Sequence, residues 1–178
     1  MPPLLRRLAL TLHVVCSVGW LGAVGSFLAL ALVGLASQDV PVVRAAYVGM
    51  DLMTTLVIVP LSLAATATGI AQSLGTPWGL FRHYWVLAKL VITIPSTALL
   101  LTHTRAIHYM AVAVAEFPIA PGDLHELRVQ LAVTAGAAIA ALLITTGLSV
   151  LKPRGLTPYG WRKQREGRPV LPDLDGVA

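Results

Sequence analysis

With 178 residues, a mean hydropathy of +0.77, 56% hydrophobic residues and only 12% charged, the chain carries about half the charge of a soluble domain, which excludes an ordinary water-soluble globule. The net charge of +5 does not mark a nucleic-acid partner, because the basic residues gather at the ends of apolar segments. A single cysteine, Cys16, excludes an intramolecular disulfide and a CxxC metal site.

No side chain carries a fixed charge across residues 8–36, 52–81 or 129–151, and only Lys89 interrupts residues 84–104. A bilayer-spanning helix needs roughly 20 apolar residues, so an all-α integral membrane protein with a four-transmembrane-helix bundle is predicted. Span one covers residues 8–37. It is nearly twice as long as the roughly 7–15 residue apolar core of a signal peptide, which makes it a retained anchor. Residues 38–49, with Pro41, read as a short loop. Span two covers 50–74 and contains Pro60; glycine and proline in residues 75–79 make a tight turn. Span three covers 83–104, where Pro95 leaves the Val91 carbonyl without its helical donor and favours a kink. Apolar helical character continues over 106–117, which is expected to bend along the membrane surface before Pro118 and Pro121. Span four covers 126–151 and stops at Lys152 and Pro153. The transmembrane domain is thus 1–151, and residues 152–178, without an apolar period, read as a basic, mostly disordered tail.

Arg6, Arg7, Arg82, Lys152, Arg154, Arg162, Lys163, Arg165 and Arg168 fall on one side of these spans. Arg44, Arg105 and Arg128 fall on the other, together with Asp39, Asp51, Glu116, Asp123 and Glu126. This positive-inside bias predicts N-in/C-in topology. The lipid bilayer is the expected partner, with anionic lipid a further partner for the tail. Tyr47, Trp78, Tyr84, Trp85, Tyr109 and Tyr159 fall near predicted interfaces, and Trp20 is the exception inside span one. Small-residue rows (Ala132, Gly136, Ala140; Gly22, Ser26) support close helix packing. A homo-oligomer or a larger membrane complex stays open.

An ionisable group inside a membrane costs at least about 2.5–3.5 kcal/mol on insertion scales, which singles out His13, Lys89 and His103. His13, Ser17 and Trp20 share one face of span one. Lys89, Thr93, Ser96 and His103 follow one stripe of span three, with Lys89 and His103 about 21 Å apart along the axis. His13 and Lys89 lie at similar depth and can meet. Each has a plainer reading: His13 hydrogen-bonds a neighbouring helix, Lys89 snorkels, and His103 with Arg105 is solvated or pairs with Asp51. His83, His108 and His125 read as interface or loop residues. Histidines in a four-helix bundle also raise haem b, through a single axial His13 with Lys89 as second ligand or propionate partner, with His103, which has only His125 nearby, a further candidate for holding a cofactor. No paired carboxylates, nucleophile elbow, phosphate loop or HExxH appears, so hydrolase chemistry has no foothold.

The run from His13 to Trp20 and Gly22 resembles the H-(x6)-W-x-G opening of the CopD-like membrane group, which includes copper-resistance CopD proteins and the HemJ-type protoporphyrinogen oxidases. Trp85 to Lys89, followed by His103, is similar to a segment of the HemJ-type enzymes. The stretch Lys152 to Gly160 resembles the tail of the bacterial domain-of-unknown-function family 2269, to which the chain is most similar within the group. The resemblance implies a four-span bundle in the bacterial cytoplasmic (inner) membrane and, from the HemJ-type enzymes, a haem or metal held by His13. The chain departs from those enzymes at Leu87, where they carry histidine, and this argues against porphyrinogen oxidation. Copper uptake lacks a soft ligand set, since Met50, Met53 and Met110 are scattered. The expected function is that of a four-span inner-membrane protein without an evident catalytic motif, a scaffold or small-solute carrier more readily than an enzyme. The alternative is a haem- or metal-binding redox protein using His13 and Lys89.

Overall fold

The computed structural model describes residues 2–75, 79–116, 124–153 and 155–166. Trp78, Pro118, Pro121, Asp123, Arg154, Arg168 and the chain after residue 166 lie outside them, so the expectations placed there stay as they were. The molecule is an all-α four-helix bundle. Its long helices are α1 (Pro3–Ala36), α2 (Val40–Gly75), α3 (Tyr84–Glu116) and α4 (His125–Leu151), each long and apolar enough to cross a membrane. A short α5 (Pro158–Glu166) follows.

Helix α1 opens on a proline, whose fixed φ suits a first turn and whose missing N–H is not needed there. Cys16, Trp20, Val24, Phe27, Ala31 and Gly34 are its buried residues, recurring every three or four positions along one stripe. Helix α1 packs against α2 and α4, and α3 packs against the same two, so α1 and α3 stand diagonally across the bundle. The outward faces are apolar as well: Val18 and Leu32 on α1, Leu56 on α2, Val91 on α3 and Val133 on α4 are all exposed. Water tolerates no such continuous apolar surface; hydrocarbon is the solvent it suits. The chain is a multi-pass membrane protein.

Helix α2 is unbroken but not regular. Residues Thr54–Ile58 form a π turn in which the Val59 N–H reaches the Thr54 carbonyl. Pro60 explains it, because its ring has no N–H and crowds the carbonyl four residues earlier, and a wider turn relieves the clash. Helix α3, by contrast, continues through Pro95, which lies exposed on its surface.

Three expectations are corrected. Residues 38–49 are not a loop: α2 begins at Val40 with Pro41 in its first turn. Residues 106–116 continue α3 instead of forming a separate surface piece. The two corrections share a cause, since Val43, Tyr47 and Met50 of α2 join Ile107, Met110 and Val114 of α3 in the core. That contact removes the reason for either segment to leave the bundle. The third concerns the tail, whose residues 155–166 are ordered. Thr157 caps α5, accepting the Gly160 N–H at 3.1 Å and donating to the Phe81 carbonyl. Its own N–H reaches the Arg82 carbonyl at 3.0 Å, and the Tyr84 N–H reaches the Gly155 carbonyl at 3.4 Å. Long-range backbone bonds, not an apolar period, hold this segment.

Helix α4 stops as expected. Lys152 adopts a left-handed conformation (φ 42°), its N–H bonds the Leu148 carbonyl, and Pro153 follows.

Helix α1 packs tightly against α2 at Gly34, where an added Cβ would stand 2.8 Å from a ring carbon of Tyr47. Tyr47 is 1% exposed and has nowhere to go. Gly34→Val is expected to lower stability by about 1–3 kcal/mol, read as the thermal midpoint in detergent, whereas Gly22→Val, with open space around it, should leave that midpoint nearly unchanged.

Candidate functional site

His13 faces α2. Its Nδ1 lies 3.0 Å from the Ala65 carbonyl and 3.1 Å from the Thr68 hydroxyl oxygen. A carbonyl only accepts, so Nδ1 carries the proton and Nε2 keeps the lone pair. The Thr68 hydroxyl donates to the Ala64 carbonyl at 2.6 Å. It therefore accepts from His13 and is not activated by it; the pair resembles a catalytic dyad in distance and not in proton placement. Gly69 makes the approach feasible, since a Cβ there would stand 3.1 Å from His13 Cε1. One turn below, Gln72 donates to the Ala9 carbonyl at 2.7 Å.

Lys89 faces α4. Its Nζ donates to the Ser149 hydroxyl at 2.7 Å and stands 5.9 Å from the centroid of the Trp85 ring. His13 and Lys89 are each committed to their own neighbouring helix, His13 to α2 and Lys89 to α4. Between these levels and the middle of the bundle, the Thr66 and Thr97 hydroxyls meet at 3.2 Å, linking α2 to α3.

His103 belongs elsewhere. Its Nδ1 donates to the Leu99 carbonyl of its own helix at 2.9 Å. The partner of Asp51 is His108, at 3.0 Å, and not His103 or Arg105. The plainest surprise is Arg128, which is 2% exposed, with its guanidinium carbon 5.7 Å from the centroid of the Tyr47 ring. At the same end, Arg44 donates to the Val114 carbonyl at 2.9 Å. Sequence reasoning counted both arginines only as topology charges. Ser149 and Thr68 were missed because serine and threonine are common in membrane helices, and what marks them is the ionisable residue opposite.

At mid-bundle lies a cavity of about 170 Å³ to which all four long helices contribute, among them Trp20, Phe27, Thr54, Ile58, Ser96, His103 and Leu131. It begins two turns beyond His13, roughly 10 Å along the axis, and neither His13 nor Lys89 lines it. This bears directly on haem. The His13 imidazole does not face the open space, whereas His103, whose Nε2 is left free by the bond from Nδ1 to Leu99, does line it, and that space is smaller than the roughly 300–1,000 Å³ of ordinary small-molecule sites. Among the described residues, no group of three His, Cys, Asp or Glu side chains stands close enough to hold a metal ion. The arrangement offers two things: a pinned polar layer at the amino-terminal end, and a mainly apolar chamber in the middle.

No family model, curated protein or solved structure matches the chain.

Proposed function

We propose that the chain is a four-span protein of the bacterial inner membrane, with both termini in the cytoplasm, that holds a small membrane-soluble molecule between its helices without covalent chemistry. The observation that carries this reading is the cavity shared by all four helices at the level where the surrounding solvent is hydrocarbon. The proton placement at His13 and Thr68 supports it from the other side, because the nearest approach to a nucleophile–base pair is wired the wrong way round. The orientation is supported by Arg6, Arg7 and Arg82 at the end where α5 docks with Arg162, Lys163 and Arg165. The resemblance to the CopD-like group fits the same topology.

Two measurements test it. In a Cys16→Ser background, a cysteine at position 38 should react with an impermeant maleimide added to spheroplasts and one at position 6 should not; the reverse pattern overturns the orientation. For binding, protein purified from membranes is extracted with solvent and analysed by mass spectrometry. A small molecule should accompany the wild type in near-stoichiometric amount and be lost from Ala135→Phe, which fills the cavity. Identical extracts from the two would sink the binding reading. An absorption scan of the same sample addresses haem: a Soret band abolished by His13→Ala would put the resemblance to the HemJ-type enzymes ahead of the present reading.

A further inference from the structure

The chemistry of the cavity wall narrows the ligand class, given the binding reading above. Three of its polar side chains have spent their hydrogens on their own helices. Thr54 donates to the Met50 carbonyl at 2.7 Å, Ser96 to the Ile92 carbonyl at 2.7 Å, and His103 Nδ1 to the Leu99 carbonyl at 2.9 Å. What they present to a guest are lone pairs: two hydroxyl oxygens and the His103 Nε2. The Thr134 hydroxyl, which also lines the space, can turn to donate or accept. A guest that donates a hydrogen bond therefore finds up to four partners, and a guest that only accepts finds one.

Size and walls point the same way. A cavity of about 170 Å³ is close to the engineered cavity of roughly 150 Å³ that takes up benzene. One six-membered ring fills it. Trp20 and Phe27 supply aromatic surface for stacked or edge contacts. Thr54 and Ile58, four residues apart on α2, both line the wall. Access is sideways: Leu99 of α3 and Ala137 of α4 both line the cavity and are exposed, so its mouth lies between α3 and α4 and faces lipid. A guest that partitions into the bilayer reaches it without crossing water.

We infer that this cavity is a receptor for one hydroxylated aromatic ring, either a free phenol or the head group of a hydroquinol lipid, held by His103, Ser96 and Thr54 as acceptors. The ring and its O–H are common to both sources, and the test separates them.

The test is titration calorimetry on the full chain in lipid nanodiscs with phenol, anisole, a short-chain alkyl hydroquinol and the corresponding quinone. Phenol should bind roughly tenfold more tightly than anisole, the scale of one good hydrogen bond, and the hydroquinol more tightly than its quinone by a similar factor. In the double variant with Ser96→Ala and His103→Leu, which keeps the cavity near its size, the preference should fall below threefold while ring binding persists. A hydroquinol at least tenfold tighter than phenol identifies the lipid head group; equal affinities identify a free phenol. Anisole matching phenol, quinone matching hydroquinol, or an unchanged preference in the double variant would overturn the inference. So would a solvent extract whose Ala135→Phe-sensitive component lacks a hydroxylated ring, an outcome that leaves the binding reading standing.

Discussion

Arg128→Ala is expected to lower the stability of the purified protein by about 2 kcal/mol or more, the scale of a desolvated cation–π contact, with lost side-chain packing adding to it. The residue is 2% exposed in the fourth position of α4, with its guanidinium over the Tyr47 ring. Arg128→Lys should recover only part of the loss, because a point charge on a flexible stem does not stack as a planar group does. Tyr47→Phe supplies the contrast. Its hydroxyl is buried without a hydrogen-bond partner, so removing it should be neutral or slightly stabilising, while Tyr47→Ala should approach the Arg128→Ala loss. A double-mutant cycle read from thermal midpoints in detergent isolates the pair. Equal damage from Tyr47→Phe and Arg128→Ala would refute the stacking account.

The second large effect is expected at Gly160. A Cβ added there would collide with the backbone carbonyl of Arg82, with the Leu156 side chain close behind. Backbone cannot step aside as a flexible side chain can, so Gly160→Val should detach α5 from the segment preceding α3. Thr157→Ala should loosen the same joint less. It loses the cap and the bond to the Phe81 carbonyl, a change of about 1 kcal/mol for a cap, but keeps the backbone bond from its N–H to Arg82. The readout is amide hydrogen exchange at Trp161, whose N–H bonds the Thr157 carbonyl at 3.0 Å, together with trypsin cleavage at Arg162 and Lys163. Wild-type protection in Gly160→Val would rule out the docked tail.

How much of this was readable beforehand follows from which forces were local. The four spans were legible because each is a long run without fixed charge, and the cost of putting charge in hydrocarbon acts residue by residue. The depth shared by His13 and Lys89 was legible for the same reason, since it depends on rise per residue and topology alone. Their partners were not: the Ala65 carbonyl and the Ser149 hydroxyl become neighbours only once α1 settles on α2 and α3 on α4. The start of α2 was misread because Asp39 and Arg44 look like loop charges. Arg44 in fact reaches across to the Val114 carbonyl, and the apolar face behind it packs. The ordered tail was invisible for a related reason, as its stability comes from hydrogen bonds to residues some 75 positions away. The cavity had no sequence signature, because a void is defined by what four separate helices fail to fill.

The wide turn at Thr54–Ile58 also fixes which face the second half of α2 turns to α1. A π turn accommodates one residue more than the α-helix around it, so the turn that Pro60 favours also sets the register of everything that follows it in α2. At about 100° per residue, losing that extra residue would swing everything from Val59 to Gly75 around the axis, carrying Ala65, Thr68 and Gly69 away from His13. A relative one residue shorter in this stretch would therefore have to have lost the histidine's berth as well, so the gap in an alignment and the fate of position 13 should be inherited together.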